Sequence, residues 1–207
     1  MRLVRACVLV PVKAFRAAKA RLAGALPDDV RAELAKWMAG RVLAAAAPLP
    51  VFVVCDDEQV ASWADGQGAT VLWRPGLGLN AAVTDGVAAL AEKGVERVVV
   101  AHSDLPLVSR LDHLGDSELE GRVVLVPDLR EDGTNVISLP SASGFRFGYG
   151  AGSFARHVLE ARSLGLSVEV LQEISLALDL DTPADLAQPP VQEVLPAWLR
   201  TNPGNRR

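Results

Sequence analysis

No stretch of this 207-residue chain is long and apolar enough to span a bilayer. Runs such as Val98–Ala101 and Ala44–Ala47 fall far short of the ~18 residues a membrane helix needs. Cysteine is scarce. Cys7 and Cys55 each lie in an apolar, strand-like run, which points to buried thiols and a reducing cytoplasm rather than to a disulfide framework. Basic residues are not in excess: 21 Lys plus Arg against 25 Asp plus Glu give a net charge of −4. That balance excludes a non-specific nucleic-acid binder and a polybasic membrane-surface protein. Gly-x-Ser-x-Gly elbows and Cys-x-x-Cys pairs are missing, and His102, His113 and His157 show no metal-ligand spacing. Acyl transfer and zinc chemistry therefore have no support, and the three histidines read as structural. A Walker phosphate loop is also absent, because no glycine occurs before Gly24.

Half of the residues are apolar and 22% are charged, which is enough to build a sizeable core and excludes disorder. The chain is expected to form one domain over residues 1–207. Met1–Val10 combines a charge with an apolar stretch, but Lys13 and Arg16 follow with no small-residue cleavage site, so a first strand is expected there instead of a signal peptide.

Val-rich segments without strict alternation at Ala6–Val10, Val51–Cys55, Thr70–Trp73, Arg97–Ala101 and Val123–Val126 predict strands covered on both faces. Helices are expected between them. One runs from Pro27 to about Ala46 with a stripe of Val30, Leu34, Trp37, Met38 and Val42; another runs from Leu79 to Lys93, stopped by Gly94. This alternation predicts an α/β fold with a mostly parallel sheet between helical layers. The second half reads as a mixed-sheet insertion. It has strands at Asn135–Leu139, Val168–Leu171 and Leu176–Leu178, a helix from Ser153 to Leu164, a further helix opened by Pro183, and a frayed tail from Asn202.

Ligands bind outside the carboxyl ends of strands in open α/β sheets, so the segments following each strand are the candidates. The first strand runs into Lys13, Lys19 and Arg21 with no acidic residue among them, a loop suited to polyphosphate. The fourth ends in His102-Ser103-Asp104-Leu105-Pro106, which places a carboxylate where Mg²⁺ would sit near phosphates. Asp179-Leu180-Asp181-Thr182-Pro183-Ala184-Asp185 supplies a second cluster. Helix capping accounts for Thr182, Pro183 and Asp185 but not for Asp179 and Asp181, and Asp181 is the favoured metal partner of Asp104.

Gly148-Tyr149-Gly150-Ala151-Gly152-Ser153, before a helix, predicts an anion site built on Gly150 and Ser153. Its resemblance to a dinucleotide fingerprint fails, because the third glycine comes one position early and the motif is not on the first strand. Thr134, after Asp132-Gly133, is a candidate hydrogen-bond donor to ligand. Asn80, in Gly78-Leu79-Asn80, either caps a helix or reads a nucleobase edge.

In order along the chain, Pro11-Val12-Lys13, Lys19-Ala20-Arg21-Leu22, Gly78-Leu79-Asn80, Asp104-Leu105-Pro106, Asp132-Gly133-Thr134-Asn135, Gly150 to His157 and Asp179 to Leu186 resemble the CofC/FbiD guanylyltransferase family of deazaflavin coenzyme biosynthesis. The resemblance covers residues 8–186. It departs at Ala151, where the family often has proline, and at His102-Ser103, where a glycine commonly precedes the aspartate. It implies a three-layer nucleotide-diphospho-sugar transferase-like fold. It also implies transfer of GMP from GTP to phosphoenolpyruvate or 2-phospho-L-lactate with release of pyrophosphate. The acceptor would be bound by residues matching Thr134, Gly150 and Ser153. Lys13, Lys19 and Arg21 are then expected to stabilise the leaving pyrophosphate, and Mg²⁺ to sit on Asp104 and Asp181. The partners expected are GTP and a phosphorylated three-carbon acid, with no nucleic acid or membrane; a homodimer is one assembly the sequence allows. The competing readings are another nucleotidyltransferase of the same fold and a non-catalytic nucleotide-binding module.

Overall fold

The structure, a computed structural model, describes residues 5–119 and 121–200. Met1–Val4 and the tail from Asn202 lie outside the described residues. Seven strands form one sheet: β1 (Ala6–Pro11), β2 (Val51–Cys55), β3 (Thr70–Trp73), β4 (Arg97–Ala101), β5 (Arg122–Pro127), β6 (Thr134–Pro140) and β7 (Ser167–Val170), in the order β3-β2-β1-β4-β6-β5-β7. Only β6 runs against its neighbours β4 and β5, so the sheet is mixed but mostly parallel. The second half completes the sheet begun by the first.

The period of two along β1 explains the layering. Val8 and Val10 face one apolar cluster, while Cys7 and Leu9 face the other. The first cluster is covered by α1 (Asp28–Ala45) and α2 (Glu58–Gly66), the second by α3 (Gly78–Glu92) and α4 (Ser153–Ser163). Val8, Leu9 and Val10 have no solvent exposure, and burying each such side chain stabilises the fold by roughly 1.5–3 kcal/mol. Both cysteines are buried free thiols. Among the described residues no helix is long and apolar enough to cross a membrane.

The expected stripe on α1 does not face the sheet as a unit. Ala35, Ala39 and Val42 pack on the sheet, where small side chains let the helix approach closely. Leu34 and Met38, with Val30 and Trp37 beside them, instead bury a third cluster formed with Leu178, Leu180, Leu186, Val191, Leu195 and Leu199. That cluster anchors the C-terminal segment, with its short helices α5 (Ile174–Ala177), α6 (Pro183–Leu186), α7 (Pro189–Val194) and α8 (Ala197–Arg200), against the first half of the chain.

The strand expected at Leu176–Leu178 is not formed. Ile174–Ala177 makes one helical turn, and only Leu178 is extended. The cause is Asn135 at the start of β6, whose buried side-chain amide donates to the carbonyls of Leu176 (3.1 Å) and Ala177 (2.9 Å). Two acceptors that a sheet ladder would need are thereby taken.

Candidate active site

Strand order reverses between β1 and β4: the chain leaves β1 toward β2 on one side and returns to β4 on the other. The carboxyl ends of adjacent strands diverge there, and a cleft of about 860 Å³ opens at that point. It is lined by Lys13, Lys19 and Arg21 after β1, His102 and Asp104 after β4, Thr134 at the start of β6, Tyr149, Gly150 and Ser153 before and on α4, and Asp179 and Asp181.

Two backbone devices bring the acidic segments together. The Leu180 amide donates to the Asp104 carbonyl at 3.1 Å, lacing the end of β4 to the Asp179–Asp181 segment. Downstream, the Asp185 carboxylate accepts from the amides of Asp181 (3.1 Å) and Thr182 (2.7 Å), while Thr182 Oγ1 accepts from the Asp185 amide. This capping box, with Pro183 in the first turn, starts α6 as the sequence predicts and holds Asp181 toward the cleft. Asp104, Asp179 and Asp181 each offer an oxygen, and these lie within 4.8 Å of one another.

Lys19 is the counter-charge. Its ammonium donates to Asp104 at 2.7 Å and to Asp181 at 2.8 Å, with its side chain 7% exposed. It sits between two 3₁₀ turns in the left-handed region at φ 56°, a backbone cost on the order of 1–2 kcal/mol for a residue with a Cβ. Buried Arg31 braces the loop by donating to the Ala18 carbonyl at 3.0 Å. Burial works against the Lys19 charge, but Asp104 and Asp181 outweigh it, so the ammonium is held above the usual lysine range. Burial likewise opposes the Asp104 charge, and Lys19 overcomes it, leaving that carboxyl below the usual range. Asp179 goes the other way: burial, reinforced by Asp104, pushes it up to about 6.

Lys13 and Arg21 stand at the rim. Lys13 is exposed on the cleft wall, and Arg21, with its side chain 75% exposed, lies 3.5 Å from Asp181. The three cations and three carboxylates named from the sequence are thus gathered in one cleft. Asp104 Oδ1 is buried with no partner. An orphaned carboxylate oxygen beside two more hard oxygen donors fits Mg²⁺.

The glycine-rich segment forms the opposite wall. Gly150 (φ 114°) and Gly152 (φ 69°) take backbone angles that a side chain would resist, and a Cβ on Gly152 would approach Arg156 Nη1 to 3.3 Å. Arg156 donates to the carbonyls of Gly148 (3.1 and 2.9 Å) and Ala151 (2.7 Å), gathering the loop around one guanidinium. Several amides expected to form the anion site are already committed. Gly152 N–H donates to the Asp132 carboxylate at 3.0 Å, Ser153 N–H to the Gly150 carbonyl, and Phe154 N–H to the Asp132 carbonyl. Among the described residues this wall lines the cleft with Gly150 and Ala151, with the hydroxyl-bearing Thr134 and Ser153, and with Tyr149, whose buried hydroxyl has no partner.

Asn80 neither caps α3, whose cap is Leu77, nor is among the residues lining the cleft; its side-chain Oδ1 accepts from the Tyr149 amide at 2.8 Å and so positions this wall. Sequence reasoning singled out neither Arg156 nor Asp132 for a role, and it treated His157 as structural. The available signal was spacing: Ser153 and His157 are four apart, hence on one face of α4.

The fold resembles a nucleotidyl transferase from Methanothermobacter thermautotrophicus (TM-score 0.62, 15% identity, 95% of this chain and 99% of that one). It also resembles a protein from Desulfovibrio desulfuricans described as a nucleotide-diphospho-sugar transferase (TM-score 0.71, 20% identity, 98% and 93%). These likenesses establish the α/β nucleotide-diphospho-sugar transferase-like fold. In sequence, the chain is 36% identical over 186 residues to a phosphoenolpyruvate guanylyltransferase of Sphaerobacter thermophilus, covering 87% of this chain and 90% of the relative. It is 36% identical over 191 residues to a 2-phospho-L-lactate guanylyltransferase of Methanothermobacter thermautotrophicus (89% and 84%). A 3-phospho-D-glycerate guanylyltransferase of Phenylobacterium zucineum is 34% identical over 192 residues (87% and 87%). Residues 6–189 match the family described as guanylyl transferase CofC like, and the chain belongs to that family.

Proposed function

We propose that the protein transfers GMP from GTP to the phosphate of phosphoenolpyruvate, releasing pyrophosphate, as a step of deazaflavin coenzyme biosynthesis. The observation that carries this reading is the convergence of Lys19, Asp104, Asp179 and Asp181 on one side of a cleft whose other wall is the Thr134–Gly150–Ser153 surface. Lys19 and the three carboxylates, with Lys13 and Arg21 at the rim, make the side suited to a triphosphate and its metal, and they face a hydrogen-bonding wall for a second anion. The names of the relatives from Sphaerobacter thermophilus, Methanothermobacter thermautotrophicus and Phenylobacterium zucineum supply the donor and the class of acceptor, a phosphorylated three-carbon acid.

A phosphate oxygen of the acceptor attacks the α-phosphorus of GTP. The bond from that phosphorus to the bridging oxygen breaks, and pyrophosphate leaves with the electron pair. The acceptor phosphate is ionised at neutral pH, so no side chain has to remove a proton, and catalysis is positioning plus charge stabilisation. That agrees with His102, the histidine lining the cleft, which is half-buried and held below the ordinary imidazole range chiefly by desolvation. Lys13, Lys19 and Arg21 stabilise the charge developing on pyrophosphate. Thr134, Gly150 and Ser153 orient the acceptor. Asp104 and Asp181, with Asp179 beside them, would hold Mg²⁺, which supplies charge neutralisation between the two anionic substrates.

The test is pyrophosphate release with GTP and Mg²⁺ across phosphoenolpyruvate, 2-phospho-L-lactate and 3-phospho-D-glycerate. Turnover is expected with GTP and to be fastest with phosphoenolpyruvate. No release with any acceptor would overturn the reading in favour of a nucleotide-binding module, and preference for another nucleotide would reassign the donor.

A further inference from the structure

His157 takes no part in the chemistry above, yet its surroundings dictate where its proton sits. The ring is wholly buried, packed against Tyr149 (5.0 Å between centroids), Phe145 (5.7 Å) and Phe147 (6.3 Å). The Gly148 amide donates to its Nε2 at 2.9 Å. A backbone N–H can only donate, so Nε2 must keep its lone pair. Burial, with Arg156 adding repulsion, pushes the imidazole down to about 4, so it is neutral at pH 7. A neutral ring with a bare Nε2 carries its one proton on Nδ1. Nδ1 lies 3.0 Å from Thr134 Oγ1. The imidazole therefore donates and the threonine hydroxyl accepts. The opposite tautomer would set two donors head to head against Gly148.

The consequence falls on Thr134. With its oxygen accepting from His157, the hydroxyl must aim its own proton elsewhere. Among the described residues its contact with His157 is the one hydrogen bond found for that hydroxyl, and Thr134 lines the cleft beside Gly150 and Ser153. We propose that His157 is a positioning residue that locks the Thr134 hydroxyl as a donor toward an anionic oxygen of the acceptor. The inference rests on the acceptor reading given under the proposed function. Its physical content is preorganisation: a hydroxyl free to rotate must be turned and fixed before it donates to an anion, whereas a locked one already presents its proton.

The first test needs no catalysis. In uniformly ¹⁵N-labelled protein at pH 7, the two-bond ¹H–¹⁵N spectrum should show His157 neutral and protonated at Nδ1. An Nε2-protonated or cationic ring overturns the inference. The second test compares His157→Phe, which keeps a ring without nitrogens, with His157→Gln, whose amide offers one acceptor and one donor. His157→Phe should raise KM for phosphoenolpyruvate roughly 10- to 100-fold, the range for a hydrogen bond to a charged group, while KM for GTP stays near the parent value. His157→Gln should recover part of the loss. Adding His157→Phe to Thr134→Val should cost nothing further, since the histidine acts through that hydroxyl. Additive losses, or equal changes in both KM values, overturn the inference.

Inhibition of the parent and of Thr134→Val by glycerol 3-phosphate, which has no carboxylate, and by pyruvate, which has no phosphate, locates the oxygen concerned. Weakening of the first places the donor on the phosphate, weakening of the second on the carboxylate, and weakening of neither overturns it. Should His157→Phe fail to fold, the tautomer and the Thr134→Ser and Thr134→Val pair decide alone, with Ser expected to retain the affinity that Val loses. Failure of the parent enzyme to guanylylate any acceptor defeats the acceptor reading. A parent that turns over while His157→Phe keeps its acceptor KM defeats only this inference.

Discussion

Lys19 Nζ and Asp181 Oδ1, 162 residues apart in the chain, meet at 2.8 Å, and the same ammonium reaches Asp104 at 2.7 Å. One buried cation thus ties the loop after β1 to the end of β4 and to the turn before α6. Its removal leaves three carboxylates facing one another. Lys19→Met should lower stability at pH 7 by about 2 kcal/mol, less than the ~3–5 kcal/mol of a fully buried pair because the Asp181 side chain is 39% exposed. The Asp104 carboxyl is depressed and the Lys19 ammonium raised, so the pair contributes fully between the carboxylate and lysine ranges and is lost outside them. Without Lys19 the facing carboxylates of the variant are pushed up instead, so its deficit should shrink from pH 7 to pH 5 as their protonation relieves the repulsion, and Mg²⁺ should raise Tm more in the variant than in the parent. Urea unfolding at pH 7 and pH 5 measures the first effect and thermal melts with Mg²⁺ the second; an equal deficit at both pH values contradicts it.

Asp104→Asn should abolish turnover, a loss of at least ~10³-fold, and leave the fold intact. The bond that positions this segment uses the backbone carbonyl of residue 104, which the substitution preserves. Pyrophosphate release, Mn²⁺ binding and circular dichroism separate the two effects. Near-parent turnover would remove Asp104 from the reaction.

Lys13→Ala offers the contrast. Lys13 is exposed on the cleft wall, so its loss should not change Tm, yet the rate should fall by about 10²–10³, the scale for removing one transition-state donor. An unchanged kcat would mean that this lysine is only a solvated charge.

The strands and the carboxylates were legible for one reason: each is a local violation or a local run. Val98–Val99–Val100 announces a strand, and Asp104, Asp179 and Asp181 stand out because they end apolar segments. What was not legible depends on partners distant in sequence. Leu176–Leu178 has the composition of a strand, and only the Asn135 amide, supplied from 41 and 42 residues away, turns it into a helical turn. The apolar residues of α1 are legible but the division of their stripe is not, since nothing local says that Leu34 and Met38 face the C-terminal helices while Val42, with Ala35 and Ala39, faces the sheet. His157 passed as structural because its neighbour Thr134 lies 23 residues away on another element.

Histidine 157 also predicts an acid limb in stability. Its folded value near 4 lies below the ordinary 6.5, so the unfolded chain binds a proton that the folded one refuses. Stability is complete above pH 6.5 and falls as pH drops toward 4. The loss at pH 5 is about 2 kcal/mol from this residue. In His157→Gln that portion of the limb should disappear. Urea denaturation of parent and variant at pH 7 and pH 5 gives the difference, and parallel pH dependence in the two proteins contradicts it.

Arg156 tests whether the shape of the glycine wall matters apart from its charge. The guanidinium is exposed and donates to carbonyl oxygens of Gly148 and Ala151, so those carbonyls are drawn to one side of the loop. Its removal frees Gly150 and Gly152, whose backbone angles cost glycine little, to change conformation. Arg156→Gln should raise KM for the acceptor about 10-fold, the scale of one or two lost hydrogen bonds, with KM for GTP unchanged and Tm lowered by only a few degrees. Arg156→Lys should rescue poorly, because a single ammonium cannot bridge both carbonyls with the geometry of a planar guanidinium. Steady-state kinetics with each substrate varied decides the matter. A matching rise in both KM values would show that the loop disturbs the whole cleft, and full rescue by lysine would show that only the positive charge counts.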